Sequence, residues 1–383
     1  MQKRRILDFE YGNIDTDRVV MNFGPQHPST HGVLRLEAEL EGEVVSEIWP
    51  RIGYLHRCFE KCAENSTYPQ VIPFIDRLDY ISSMNNELPY VLGMEKLLGI
   101  EVPEKVTYIR TILCELNRIA NHQIATGTFV MDAGAYTPFL YFFIDREMII
   151  DIFEKCSGAR LLYNYFWIGG LQRDIYPGFK DDCLAVIKAV RERIKEADKL
   201  FLYNKILIER TANIGVLPAD VAINFACSGP VLRASGVPFD LRKTRNYLNY
   251  DKFDWNVPVG KGEVGTVGDC WDRLWVRLAE MEESCKIIEQ ALEQMPFEGD
   301  VRANLPKRIK PEVGEFYFSC ESPKGELGFY ITSDGTLKPS RVRCRSSCFV
   351  NLSVLPYITK GYMIGDLILI LGSIDIVLGE VDR

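Results

Sequence analysis

The sequence predicts an α+β fold, in which a mainly helical core follows a small N-terminal antiparallel sheet and precedes a C-terminal β element. Three observations carry this. Apolar and polar residues alternate from Leu34 to Leu40, the period of a half-buried strand, and apolar residues recur at three- and four-residue steps from Ile109 to Ala120, the period of a buried helix face. After Pro296 the alternating pattern returns. With 383 residues, 47% hydrophobic and 26% charged, the chain can fill one large core or two intimately packed ones.

The first strand is expected over 19–23, an apolar run, and the second where Leu34, Leu36, Ala38 and Leu40 alternate with Arg35, Glu37 and Glu39. A turn at Glu41-Gly42-Glu43 leads to a third strand over 44–52. Between the first two lies Gly24-Pro25-Gln26-His27-Pro28-Ser29-Thr30-His31-Gly32, where two prolines and two glycines forbid regular helix, so this segment is a loop. Helical signals run from about 84 to 295: Pro103 with Glu104 starts one helix, and others are expected over 139–156, 180–210 and 271–295. Strands at 314–319 and 328–333 face a turn at Asp334-Gly335. The expected division is an N-terminal α/β domain (1–70) holding the loop, a helical core (71–300), and a C-terminal β element with a terminal segment (301–383). The most apolar stretch, 363–378, contains Asp366 and Asp375 and falls short of the roughly 20 residues that span a bilayer, so it reads as buried core and no transmembrane helix is expected.

Composition excludes several functions. The net charge of −8 shows no cationic footprint for nucleic acid. The start MQKRRILDFEYGN is too polar for a secretory signal, so the chain is expected to stay on the cytoplasmic side. The eleven cysteines, an odd number, then read as reduced thiols. Cys58 with Cys62 and Cys344 with Cys348 have the spacing C-x3-C, unlike the C-x2-C knuckle of structural zinc. No G-x-G-x-x-G joins a strand to a helix, so the chain shows no dinucleotide-binding fingerprint.

Of the four histidines, His27 and His31 share the proline-rich loop, where no helix aligns them as a metal pair, while His56 and His122 stand apart. Glu115 with Arg118 and Asp145 with Arg146 read as solvated or interhelical pairs. Taken singly, Tyr80, Asp132, Arg77 and Asp79 have ordinary structural readings: packing for the tyrosine, a turn or cap for Asp132, an ion pair for Arg77 with Asp79.

The run from Asn22 to Leu36, NFGPQHPSTHGVLRL, resembles the N-terminal signature of the 49 kDa subunit of NADH:quinone oxidoreductase, respiratory complex I. The resemblance continues through Gly53-Tyr54-Leu55-His56-Arg57, Asp76-Arg77-Leu78-Asp79-Tyr80, Thr137-Pro138-Phe139, Gly229-Pro230-Val231-Leu232-Arg233, Asp240-Leu241-Arg242-Lys243 and Glu321-Ser322-Pro323-Lys324-Gly325-Glu326 to Gly379-Glu380-Val381-Asp382-Arg383. That family is similar to the nickel-iron hydrogenase large subunit, which implies its helical core here. Asp79 and Ser82 stand where the hydrogenase has its first cysteine pair, and Asp382-Arg383 stands where its terminal Asp-Pro-Cys begins. A soft nickel site needs thiolates, so the resemblance implies no metal in this chain.

It implies instead a quinone headgroup pocket in the vacated cavity. His31 and Tyr80 match the residues that hydrogen-bond the two quinone carbonyls, and Asp132 matches the partner of that histidine; His27, Arg57, Arg77 and Asp79 match positions around them. Donors already aimed at the quinone oxygens stabilise the charge that builds there. An imidazole, with an unperturbed pKa of about 6.5, can give and regain a proton, whereas a phenol is better suited to orienting. The implied substrate is menaquinone or ubiquinone, with electrons arriving from a 4Fe-4S cluster in a neighbouring subunit. The implied partners are that subunit, the homologue of the complex I C-subunit and the membrane subunit at the quinone entrance, and the implied place is peripheral, on the cytoplasmic face of the inner (plasma) membrane. Three other readings stay open. Asn164-Tyr165-Phe166 and Gly372-Ser373-Ile374-Asp375-Ile376 resemble the photosynthetic ferredoxin:plastoquinone version, a working hydrogenase large subunit is the metalloenzyme reading, and a docking scaffold is the third.

Two departures bear on electron delivery. Leu162 stands where many members carry a histidine beside the cluster, and Trp167 where most carry an arginine. Leucine cannot titrate, and lost positive charge lowers a cluster's potential, which suits a low-potential menaquinone. The partner's cluster is therefore expected to hold a nearly pH-independent potential in an equilibrium redox titration, and quinone extracted from the native membrane to be menaquinone; a steep pH dependence contradicts the first, ubiquinone alone the second.

Overall fold

The computed structural model describes residues 18–26, 30–306 and 308–383. Strands β1 (Arg18–Phe23), β2 (Arg35–Glu41) and β3 (Val44–Arg51) form an antiparallel sheet in that order. Alternation puts Leu36, Ala38, Leu40, Val45 and Ile48 on its buried face. The outer edge of β3 is covered rather than left as a template for aggregation: Val45 N donates to Tyr362 O at 2.9 Å, and Gly361 N to Val45 O at 2.8 Å.

Two short helices that sequence periodicity does not reveal follow, α1 (Phe59–Asn65) and α2 (Tyr68–Ile75), the second opened by a Thr67/Gln70 capping box with Pro69 just inside it. The helical core is built from α3 (Ser83–Leu98), α4 (Glu104–Asp132) and α5 (Tyr136–Ser157), with the small strands β4 (Phe166–Trp167) and β5 (Gly170–Leu171) leading to α6 (Phe179–Ala197). The single helix expected over 180–210 is broken: α6 runs into a π-helical turn, Asp198–Leu202, and α7 (Lys205–Thr211) restarts where the Asn204 side chain accepts from Ile206 N at 2.9 Å. Then come α8 (Ala219–Asn224), α9 (Pro230–Ala234), α10 (Leu241–Thr244) and the long α11 (Cys270–Gln294). α4 packs against α5 and α11, and α6 lies across both of these.

β6 (Gly314–Ser322), β7 (Gly325–Ser333) and β8 (Arg341–Arg345) form the C-terminal sheet. The β6–β7 hairpin turns on Pro323-Lys324, between the paired Ser322 and Gly325, and Asp334-Gly335 lies on the way from β7 to β8. The expected β element is therefore present but incomplete as a description, because α12 (Ser347–Leu352), α13 (Leu355–Thr359), α14 (Ile364–Ile374) and α15 (Leu378–Asp382) follow it. Short apolar runs show no legible helical period, which is why these helices are hidden in the sequence. Among the described residues no helix is long and apolar enough to cross a membrane, and all eleven cysteines are free thiols.

The core holds many charges, and several are matched by buried counter-ions. Arg110 grips Glu95 with two hydrogen bonds of 2.7 and 2.9 Å. Of the two readings their spacing allows, solvated or interhelical, the second holds for Glu115 and Arg118: both are wholly buried, and Glu115 also takes Arg242 at 3.0 Å, the Tyr250 hydroxyl at 2.7 Å and the Ser284 hydroxyl at 2.6 Å. Asp145 pairs with Arg193 of α6 at 2.8 Å rather than with its neighbour Arg146. Arg233 of α9 meets Glu280 at 2.6 Å, Glu321 at 2.7 Å and Asp240 at 3.3 Å. Arg233→Met removes the arginine from Glu280 and Glu321, while Asp240 keeps Arg242 at 2.7 Å, and is expected to cost about 3–5 kcal/mol of unfolding free energy in urea titrations. Arg160→Ala removes only exposed, solvent-screened pairs with Glu147, Asp151 and Glu154, and its urea midpoint is expected to stay at the wild-type value.

Candidate functional site

The proline-rich loop carries His31 in a left-handed backbone conformation, φ +53°, with the Thr30 hydroxyl donating to Gly32 O at 3.0 Å. This turns the imidazole toward the last residue of α4, Asp132, whose Oδ2 lies 2.7 Å from His31 Nε2. Both side chains keep some solvent contact, 21% and 15%. With Nε2 engaged by the carboxylate, Nδ1 is the nitrogen left to face a ligand.

Tyr80, half-buried, sits in the loop between α2 and α3. Burial and then the neighbouring Asp79 push its pKa up, while Lys324 and Arg57 oppose, so at neutral pH it is a phenol able to donate a hydrogen bond. What brings the His31 loop, Asp132 and the Tyr80 loop into one neighbourhood is the chain from Gly372 to Gly379. A Cβ on Gly372 would sit 3.2 Å from both Asp132 Oδ2 and His31 Nε2, one on Gly32 would sit 2.9 Å from Leu378, and one on Gly379 would sit 2.6 Å from Leu78 O and 3.4 Å from the Tyr80 ring. Bare backbone therefore forms the floor under both rings.

Asp79 and Ser82 hydrogen-bond to each other, and Asp79 Oδ2 also takes the Lys324 ammonium at 2.9 Å. The ion pair that the sequence suggests between Arg77 and Asp79 does not form. Arg77 is exposed, its Nη1 donates to Pro73 O at 2.5 Å, and its own carbonyl accepts from Arg57 Nη2 at 2.7 Å. Arg57 is thus an exposed side chain tied to the backbone of the Tyr80 loop. His27 lies outside the described residues. His56 Nδ1 lies 2.7 Å from Asp382 O, and His122 is a core residue, 2.9 Å from Glu280, whose pKa burial drives down to about 4 and which is hence neutral at pH 7.

Lys324, Asn121 and Asp375 are not singled out by sequence reasoning, although Lys324 and Asp375 lie inside stretches that carry the family resemblance. Their signal is spatial: Asn121 from α4 accepts from Lys324 and donates to Asp375 at 3.1 Å. Among the described residues no three His, Cys, Asp or Glu side chains gather as a metal-holding group. Cys348 donates to Glu380 at 3.0 Å, and burial holds its thiol far above the ordinary range. At the edge where electrons are expected to arrive, Trp167 does not stand without positive charge: the Arg302 guanidinium lies over its ring, 4.7 Å from the centroid.

The family model described as the 49 Kd subunit of respiratory-chain NADH dehydrogenase matches residues 132–312 and 302–383. The chain is 52% identical to the first NADH-quinone oxidoreductase D-subunit of Cytophaga hutchinsonii, over 100% of both proteins. It is 54% identical to the NADH-quinone oxidoreductase D-subunit of Chlorobaculum parvum, over 97% of this chain and 94% of that protein, and 54% identical to the Chlorobium luteolum protein of the same name, over 97% and 95%.

The backbone floor makes a steric prediction. Gly379→Ala presses a methyl against Leu78 O and is expected to lower the unfolding free energy by about 1–3 kcal/mol. Gly365→Ala, on α14 with nothing within 4 Å, is expected to be neutral or stabilising by up to about 1 kcal/mol. Thermal melts of the two variants side by side measure the difference.

Proposed function

This chain belongs to the 49 kDa subunit family of respiratory-chain NADH dehydrogenase, and from that membership we propose that it is the quinone-site subunit of an NADH:quinone oxidoreductase, active only within the assembled complex. The observation that carries the reading is the His31–Asp132 contact of 2.7 Å on the same backbone floor as Tyr80. One quinone carbonyl accepts from His31 Nδ1 and the other from the Tyr80 hydroxyl. Asp132 holds the imidazole through Nε2 and balances its charge when both nitrogens are protonated.

The reaction takes two electrons and two protons to turn quinone into quinol. The electrons come from a 4Fe-4S cluster in a neighbouring subunit, and menaquinone or ubiquinone enters from the bilayer. His31 relays protons because it can lose one and be recharged from solvent, to which its side chain remains partly open. Tyr80 orients the headgroup and stabilises the developing negative oxygen. The partners are the other complex I subunits, above all the cluster-bearing subunit, the C-subunit homologue and the membrane subunit at the quinone entrance, which hold this chain as a peripheral protein on the cytoplasmic face of the membrane. Against the hydrogenase reading stands the fate of its first two cysteine positions, where a carboxylate holds a lysine and a serine.

In the assembled complex, Tyr80→Phe and Asp132→Asn are expected to lower quinone-reductase turnover by about 10²–10³-fold, the loss typical of one donor to a developing oxyanion, while NADH oxidation by an artificial acceptor that bypasses quinone stays unchanged. Wild-type turnover in both variants would mean that this chain is a docking scaffold.

A further inference from the structure

Resting on the quinone-site reading, we propose that Lys324 is a positioning residue for quinone reduction: a buried ammonium, carried into the core on the tip of the β6–β7 hairpin and paired with Asp79, acts through Asp79 and Tyr80 to balance the negative charge that reduction puts on the quinone oxygen. The placement is unusual. A two-residue hairpin turn is ordinarily solvated, and a lysine there is free of cost. Here the tip is pressed against α9 and α12, with Gly229 close enough that a Cβ would lie 2.6 Å from Lys324 O, and Asn351 donating to that carbonyl at 3.0 Å. The Lys324 side chain has no exposed surface.

An ammonium buried so deeply needs matched anions, and a tip serving only to fill space would be cheaper with an apolar residue. Lys324 Nζ has Asp79 Oδ2 at 2.9 Å, the Asn121 side-chain oxygen, and Asp375 Oδ2 at 3.7 Å. Burial works against its charge, but Asp375 and Asp79 outweigh it, so Lys324 keeps its proton across the physiological range. It is therefore a fixed charge and not a proton donor.

The charged and titratable groups that reach Tyr80 come from four elements: Asp79 from its own loop, Lys324 from the hairpin, Cys348 from α12 and Arg57 from the segment after β3. Of the two cations, Arg57 is exposed and screened by water, whereas Lys324 is desolvated and opposes, in part, the larger effect of Asp79 on the phenol. Asp79 alone would oppose any negative charge arriving beside Tyr80; with Lys324 against it, the pair presents a dipole with its positive end at the hairpin tip. Quinone takes two electrons from the partner's cluster and two protons supplied through the site, and Lys324 exchanges none.

The test separates this from mere neutralisation of Asp79. Lys324→Met alone strands Asp79, so the informative variant is Asp79→Asn with Lys324→Met, compared with Asp79→Asn alone in the assembled complex. We expect the double variant to assemble, to keep KM for quinone within about 3-fold, to lose turnover by about 10- to 100-fold, and to lose it most at the alkaline end of the pH profile, where protons arrive late. Turnover and pH profile equal to those of Asp79→Asn overturn the proposal. A second readout needs no assembly: in the purified chain with ring-labelled tyrosine, Tyr80 is expected to titrate at higher pH in the double variant than in Asp79→Asn, and equal titration also overturns it. Should Tyr80→Phe leave turnover intact, the quinone reading fails while the Tyr80 titration still reports whether the lysine acts on the phenol.

Discussion

The structure depends on one helix whose buried charges are all spoken for. α4 is covered on nearly every side, so its charged residues are costly unless another element brings the complement. Arg110 draws in Glu95 of α3 and the carbonyls of Trp167 and Gly170, Glu115 draws in α10 and α11, and Arg118 takes the carbonyls of Glu321 and Ser322 at the end of β6. Asn121 meets Lys324 and Asp375, His122 meets Glu280, and Asp132 meets His31. From its first turn to its last, α4 fixes the order in which the surrounding pieces attach, and the candidate site is its final station.

That arrangement favours a single geometry more than it favours raw stability. Apolar replacements of buried ion pairs are often neutral or stabilising, whereas breaking one partner is costly. A charged α4 therefore penalises every misplaced neighbour: a hairpin shifted by one residue would leave Arg118 without its carbonyls and Lys324 without Asp79. The same logic joins scaffold to chemistry, because the tip that satisfies Arg118 is the tip that delivers Lys324 to the Tyr80 loop.

Much of this is legible in the sequence, and the limits are physical. The N-terminal strands, α4, α5 and α11 announce themselves by period, and the prolines mark the His31 loop. α12, α13 and α15 are too short and α14 too apolar for a period to show, and the break after α6 depends on a π turn and an asparagine cap that composition hides. His31, Tyr80 and Asp132 are reachable only through the family resemblance, since no spacing rule connects positions 31 and 132. Lys324 is invisible for a different reason: a lysine in a two-residue turn looks solvated until a hairpin is seen to point inward. Trp167 shows the converse, a position without positive charge in the sequence that has the Arg302 guanidinium over its ring in space.

The glycine floor also limits how the candidate site can change. Where side chains line a cavity, substitution reshapes it by degrees; where peptide backbone lines it, as at Gly372 and Gly379, there is no atom to trim and no room to add one. Any change in the shape of the candidate site would have to proceed through the side chains bordering that floor, such as Phe129 and Leu378, leaving the two glycines as its immobile datum.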